Sequence, residues 1–213
     1  MDFTDPRLET YITGHIDQEN ELLSQLTRDA YVHLLRPRMI SGHLQGRILN
    51  MFCRMIGPQF ILEIGTFTGY SALCMAEALG KDGELHTIEI DDEIEDFARN
   101  YFDRSPHKPK IHFHIGDALN IIPRLDRMFD LVFIDADKRQ YTEYYEAVFD
   151  KVRTGGFILA DNTLWDGKVV TRPDTRDAQT RGILRFNDLI ATDRRIEKVI
   201  LPVRDGMTVI RKK

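Results

Sequence analysis

The chain opens with apolar residues at helical spacing. Leu8, Tyr11, Ile12 and Ile16 follow i, i+3, i+4, i+8. Leu44, Ile48, Met51, Phe52 and Met55 do the same behind Ser41, a candidate N-cap. Between them lies Arg36-Pro37-Arg38-Met39-Ile40, where the proline stops a helix, and Gly57-Pro58 ends the second. The spacing therefore predicts an all-helical cap over residues 1–57.

From Phe60 the period changes. Short apolar runs at 60–64, 84–89, 110–115, 129–135 and 156–161 alternate with helical stretches near 69–79, 92–104, 138–150 and 178–192. Near-continuous apolar strands joined by helices predict a doubly wound α/β fold, its parallel sheet covered on both faces. The last segment departs from this, because residues 196–203 and 207–213 flank Arg204-Asp205-Gly206. Two strands around an Asp-Gly turn predict a hairpin, so the sheet should finish in an antiparallel edge. One irregular stretch, 163–178, is long enough to be a functional loop.

Composition narrows the class. The 213 residues fit a single domain, with 58–213 as its α/β core. With 42% hydrophobic and 30% charged residues the chain reads as an ordinary globular protein. No apolar run approaches the roughly 20 residues of a spanning helix. The acids Asp2, Asp5, Glu9, Asp17, Glu19 and Glu21 argue against a secretory leader. A formal charge of −5 disfavours nucleic acid as a partner. Cys53 and Cys74 fall inside helical patterns and read as reduced core thiols, pointing to the cytoplasm.

In doubly wound sheets ligands sit beyond the carboxyl ends of the strands, so the residues there carry the functional argument. Strand one ends Glu63-Ile64-Gly65 and turns through Thr66-Phe67-Thr68-Gly69-Tyr70-Ser71 into a helix, whose N-terminus offers N–H groups to an anion. Strand two ends at Glu89, a carboxylate able to accept from ribose hydroxyls, and Gly116-Asp117-Ala118 follows strand three, placed to meet a base edge. Together these suggest an adenosine-containing cofactor, although a glycine turn alone is equally a packing turn. Phe67 stands where a pyrophosphate-binding turn needs its second glycine, which counts against a dinucleotide.

Strand four ends Ile134-Asp135-Ala136-Asp137-Lys138 and strand five Ala160-Asp161-Asn162. If these strands are neighbours, Asp135, Asp161 and Asn162 converge as three oxygen donors, a set that selects a hard cation: Mg²⁺ first, Mn²⁺ or Ca²⁺ as alternatives. The competing reading is that each acid caps the helix after it. Lys138, three residues past Asp135, is placed to serve as a general base, against the plainer expectation of a surface lysine paired with Asp137.

These stretches, with Met39-Ile40-Ser41, Gln45-Gly46, Asp161-Asn162-Thr163-Leu164-Trp165, Leu201-Pro202-Val203 and Asp205-Gly206, resemble the class I S-adenosylmethionine-dependent O-methyltransferases. Within that class the chain is similar to the small cation-dependent caffeoyl-CoA and catechol group, over nearly its whole length. The resemblance implies a Rossmann-like, mostly parallel seven-stranded sheet with an antiparallel C-terminal hairpin and extra N-terminal helices. It implies S-adenosylmethionine and a divalent cation as cofactors, a vicinal-diol phenolic small molecule as acceptor, and a homodimer. By the same resemblance Glu63, Gly65, Thr66 and Ser71 hold the methionine end of the cofactor, Glu89 the ribose, and Asp117 and Ala118 the adenine. Met39 and Ser41 match a lid near the sulfonium, Asp135 touches both cofactor and metal, Asp161 and Asn162 complete the metal ligands, and Trp165 walls the acceptor. Gly42-His43-Leu44 departs from the acidic residues usual in plant relatives.

Rival readings are a nicotinamide oxidoreductase, a non-catalytic adenosine-binding module and a nucleic-acid methyltransferase. The turn chemistry, the retained acids with Lys138, and the net charge weigh against them in that order. Other conspicuous residues read as structural. The Asp91-Asp92-Glu93-Glu95-Asp96 run suits a helix start. Tyr141, Tyr144, Tyr145 and Val148 have core spacing. His112 and His114 share a strand face without further ligands evident, so a structural role is preferred over zinc, and Arg211-Lys212-Lys213 reads as a solvated tail.

Overall fold

The computed structural model describes residues 6–171 and 176–213. Asp2 and Asp5, weighed above against a leader, and part of the 163–178 loop lie outside them.

Three N-terminal helices stand where two were expected: α1 (Pro6–Gly14), α2 (Glu21–His33) and α3 (Gly42–Ile56). The division before α2 comes from Asn20, whose side-chain oxygen accepts from Leu23 N at 2.9 Å and caps the new helix. Pro37 opens a 3-10 turn, Pro37–Met39. Ser41 is not a side-chain cap: its backbone is already helical (φ −55°, ψ −39°) and its hydroxyl makes no capping bond. Capping needs an extended backbone at that residue to swing the oxygen over the first turn. Gly57 ends α3 in the left-handed region at φ 63°, its N–H returning to Cys53 O at 2.8 Å.

The strands are β1 (Phe60–Ile64), β2 (Glu84–Glu89), β3 (Ile111–Ile115), β4 (Phe129–Ile134), β5 (Val152–Ala160), β6 (Ile196–Leu201) and β7 (Met207–Lys212). They form a seven-stranded sheet in the order β3-β2-β1-β4-β5-β7-β6. β1 with β4, β4 with β5 and β2 with β3 are parallel; β7 is antiparallel to both β5 and β6. The expected antiparallel finish is therefore present. β5 starts earlier than expected because Phe129 pairs with Val152 ahead of a register shift, carrying the strand through Gly155 and Gly156.

Between strands run α4 (Tyr70–Ala78), α5 (Glu95–Arg104), α6 (Ala118–Ile121), α7 (Tyr141–Phe149) and α8 (Ala178–Thr192). Before α5 and α7 the chain makes 3-10 turns, Asp92–Ile94 and Lys138–Gln140. Asp91 accepts from Glu93 N at 3.1 Å and Asp137 from Arg139 N at 3.0 Å, which tightens both starts. The acidic run at Asp91 thus serves a helix start, as expected.

Two compact units divide the described residues. One holds 60–65 and 118–213, with β1, β4, β5, β6 and β7. Its core is Ile61, Leu62, Ile64, the run Leu131 to Ile134, and Ile158 to Ala160. Tyr141 and Tyr145 meet Phe186 of α8 edge-on, at centroid separations of 5.6 and 6.1 Å, so the tyrosine stripe is core. The basic C-terminus is not a loose tail. Lys212 Nζ donates to the carbonyls of Phe149 and Val152 at 2.8 and 2.9 Å, and Arg211 pairs with Glu197 at 3.0 Å, because β7 is an inner strand.

The other unit holds 6–59 and 66–117. Asn50 Nδ2 donates to Cys74 O at 2.8 Å and Arg47 pairs with Glu77 at 3.0 Å, joining α3 to α4. Cys53 and Cys74 are buried thiols outside any disulfide, and burial pushes the Cys74 thiol up to about 12. Among the described residues no helix is long and apolar enough to cross a membrane.

Candidate active site

The parallel register places Ile134 beside Ala160, so the next residues, Asp135 and Asp161, leave the sheet side by side. Backbone bonds fix both: Asp135 N donates to Ile64 O at 2.9 Å and Asp161 N to Ile134 O at 3.0 Å. Asp161 is only 3% exposed. Asn162 follows in the left-handed region at φ 56°, a conformation its short polar side chain tolerates. Gly65 also belongs here. At φ 99°, a Cβ on it would lie 2.7 Å from the Asp135 carbonyl carbon, so the approach of the two strand ends excludes any side chain.

Lys138 is 7% exposed. Its ammonium donates to Asp135 Oδ1 and to the Tyr141 hydroxyl, both at 2.8 Å. The plainer partner, Asp137, is instead taken by Arg139, which with its own backbone N–H holds that carboxyl below the usual range. Tyr141 in turn donates to Asp161 O at 3.0 Å and Ile134 O at 3.3 Å. Burial, with Asp135 and Asp161 nearby, holds its phenol well above the ordinary range, so Tyr141 remains a donor at neutral pH. Sequence periodicity gives Tyr141 a core or subunit contact and no role at the site. A polar tip three residues beyond Lys138 on the same helical start was the available signal.

The segment after Asn162 is held by the hairpin turn. Thr163 N donates to Gly206 O at 2.9 Å, and Leu164 N and Trp165 N to Asp205 O at 2.9 and 3.3 Å. The Asp205 carboxylate accepts from Asp166 N, Thr208 Oγ1 donates to Thr163 Oγ1 at 2.8 Å, and Asn187 Nδ2 of α8 to Thr163 O at 2.9 Å. Burial raises the Asp205 carboxyl above its ordinary range, against the pull of the Asp166 N–H. The expected irregular loop is thus partly a 3-10 segment, Trp165–Val170, kinked where Asp166 and Gly167 take positive φ. Trp165 is half-buried, and its indole N–H is buried without a hydrogen-bond partner among the described residues. A buried donor of this kind is costly unless something accepts from it. In the sequence Asp205 stands out as a turn residue and as part of the family resemblance, with no role at the site assigned to it.

Gly206 lies at φ 87°, and a Cβ there would sit 2.7 Å from Leu164 N. Gly206→Ala is expected to lower stability by about 1–3 kcal/mol. It should also displace Trp165, measured as a lower midpoint in denaturant together with altered tryptophan fluorescence, since Trp165 is the only tryptophan.

The other unit carries most of the expected cofactor residues. Thr66 is buried with Oγ1 2.5 Å from Thr87 Oγ1; Gly69 (φ 83°) starts α4, and Ser71 is buried in its first turn. Glu89 accepts from Phe67 N at 2.7 Å, Ile90 N at 2.9 Å and Asp91 N at 3.0 Å. Three of its roughly four lone-pair positions are therefore occupied, leaving capacity for about one further hydroxyl. Met39 is exposed on its 3-10 turn, Ser41 is buried, and Asp117 is half-buried behind Gly116. Glu63 and Ala118, both buried, lie in the first unit with Gly65 and the strand-end acids.

A family model described as O-methyltransferase matches residues 13–213. Caffeoyl-CoA O-methyltransferase 1 of Eucalyptus globulus is 37% identical over 182 residues, covering 79% of this chain and 72% of its own. Caffeoyl-CoA O-methyltransferase of Stellaria longipes is 31% identical over 218 residues, covering 97% and 90%. Among solved structures, the O-methyltransferase TomG of Streptomyces achromogenes, in complex with SAM, superposes with TM-score 0.90 at 30% identity, covering 97% of this chain and 96% of its own. An O-methyltransferase from Bacillus cereus in complex with SAH gives TM-score 0.91 at 27% identity, covering 97% of each chain. The chain therefore belongs to the O-methyltransferase family of S-adenosylmethionine-dependent transferases, and within it to the caffeoyl-CoA type.

Proposed function

We propose that the protein transfers a methyl group from S-adenosylmethionine to a hydroxyl of a catechol-like or other vicinal-diol phenolic small molecule, with a divalent cation, most simply Mg²⁺. The observation that carries this reading is the meeting of Asp135 and Asp161 at neighbouring strand ends with buried Lys138 bonded to one of them and, through Tyr141, to the backbone of the other. An all-oxygen set of two carboxylates and the Asn162 amide fits a hard cation, and Asp135 is paired with the Lys138 ammonium. The caffeoyl-CoA names of the relatives support a phenolic acceptor.

When bound, S-adenosylmethionine supplies an electrophilic methyl carbon on a sulfonium, and a divalent cation acidifies and orients a phenol. The chain's own residues do the rest. Lys138, as the neutral amine once it has released its own proton to solvent, takes the proton from the reacting hydroxyl as that oxygen forms the bond to carbon and the carbon–sulfur bond breaks. Trp165 walls the acceptor and excludes water, while Tyr141 holds Lys138 toward the strand ends. Glu63, Gly65, Thr66 and Ser71 would hold the methionine end, Glu89 the ribose, Asp117 and Ala118 the adenine, with Met39 and Ser41 covering the reacting sulfonium. Turnover of a panel of catechols and their monohydroxy analogues, with and without Mg²⁺, tests the reading. Equal rates on monohydroxy compounds would reject the vicinal-diol requirement.

Glu89→Ala is expected to weaken S-adenosylmethionine by about 1.5–3 kcal/mol through the loss of a charge-assisted hydrogen bond. Calorimetric titration checks this; unchanged affinity would limit Glu89 to ordering Phe67 in the turn.

We extend the proposal to a cytoplasmic homodimer. Tyr31, Val32, Met51 and Met55 project apolar surface from α2 and α3, and Leu35 just past α2 is fully exposed. Light scattering should give a mass twice the 24.8 kDa of one chain, and a persistent monomer would reject the dimer.

A further inference from the structure

We propose that Glu84, His86 and His112 form a site for a borderline transition-metal ion such as Zn²⁺ on the outer strands β2 and β3, apart from the strand-end acids. His112 alone gives no sign of it in the sequence; the register supplies the partners. β2 and β3 run parallel with His86 beside His112 and Ile88 beside His114. Glu84 precedes His86 by two residues and so shares its face.

The rings of His86 and His112 stack with centroids 4.6 Å apart. Glu84 Oε2 lies 3.5 Å from His86 Nε2 and 4.0 Å from His112 Nε2, and the three ligand atoms all fall within 4.8 Å of one another. A tetrahedral ion with bonds of about 2.0–2.1 Å needs its donors roughly 3.3 Å apart, so binding one requires these side chains to draw together by rotation.

A second feature points the same way. A ligating histidine commonly donates its other ring N–H to an acceptor, which fixes the tautomer. His86 Nδ1 lies 3.1 Å from His114 Nε2, so with the hydrogen on Nδ1 the lone pair of Nε2 faces Glu84 and His112. His86 is 9% exposed, so its ring is held inside the sheet edge and not in open solvent. The His112 side chain is 44% exposed, which keeps the site reachable from solvent.

Two imidazoles and one carboxylate favour Zn²⁺, Co²⁺, Ni²⁺ or Cu²⁺ over Mg²⁺. Three protein ligands leave a position for water. The bland alternative is a stack of neutral imidazoles with Glu84 as their hydrogen-bond acceptor, which needs no ion. An ion here would tie β2 to β3, whose carboxyl ends carry Glu89 and the turn to Asp117.

The test uses the full chain without an affinity tag, stripped with chelator and titrated with Co²⁺, followed by visible absorption and calorimetry. Beyond any Co²⁺ taken by the strand-end acids, one equivalent should bind with the intense visible bands of a low-coordinate nitrogen-ligated ion, and Zn²⁺ should displace it. Affinity should fall at least about tenfold in His112→Gln and in Glu84→Gln. It should be retained in Asp161→Asn, which separates this site from the strand-end acids. Thermal unfolding of the metal-free variants checks that each is folded, and exposed His112 and half-exposed Glu84 give two independent chances of that. No saturable binding, wild-type affinity in both variants, or loss of the bands in Asp161→Asn would each overturn the proposal.

Discussion

Lys138→Met should lower turnover by about 10²–10⁴-fold while S-adenosylmethionine still binds. Lys138 is buried against Asp135 and the Tyr141 hydroxyl, so methionine of similar length fills the space without the amine. Two effects follow and can be separated. If Lys138 removes the proton from the acceptor, the loss is in turnover rather than affinity, and it shrinks at high pH or with more acidic phenols, which ionise without help. If Lys138 only balances the Asp135 charge, activity instead tracks cation concentration. Turnover across a pH series at saturating Mg²⁺ and cofactor distinguishes them. A variant within about twofold of wild type at every pH, a gap of only ~0.4 kcal/mol, would remove Lys138 from the chemistry.

Chelation is the second large effect. Treatment with EDTA is expected to abolish turnover, and Mg²⁺ or Mn²⁺ to restore it. Asp161→Ala should lose activity by more than about 10²-fold, since even groups that merely orient a ligand cost 10–100-fold when removed. The fold should survive this change, because the Asp161 backbone rather than its carboxylate carries the bonds from Tyr141 and to Ile134. Cofactor affinity by calorimetry is the control: a variant that no longer binds S-adenosylmethionine would mean the carboxylate organises more than a cation. Full activity in chelator would reduce Asp135, Asp161 and Asn162 to structural acids.

Much of this was legible in the chain because burial imposes a local code. The runs Phe60–Ile64, Glu84–Glu89 and Phe129–Ile134 are strands as their apolar continuity required, and every acid named at a strand end lies there. The Asp205-Gly206 turn likewise announced the hairpin. Such signals are short-range: periodicity reports which face is buried, and glycine or proline reports where the backbone must turn. Ser41 misled because its residue type suits a cap, whereas its backbone conformation is set by the 3-10 turn before it.

What lies beyond reach of the sequence is pairing between distant segments, since register is fixed by the whole sheet and not by either strand alone. The parallel register of β4 and β5 sets Asp135 beside Asp161, and the register of β2 and β3 sets His86 beside His112, bringing His112, the unremarked His86 and Glu84 into one cluster. Lys138 chose Asp135 over the adjacent Asp137 because Arg139 occupies the latter and the side chain is packed inward against Tyr141. The hold of Asp205 and Gly206 on Thr163 to Asp166 spans some forty residues and depends on β7 lying next to β5. The sequence by itself determined which elements form and which residues stand at their ends; only tertiary structure decided which ends meet, because hydrogen-bond register and side-chain packing are collective properties of the folded sheet.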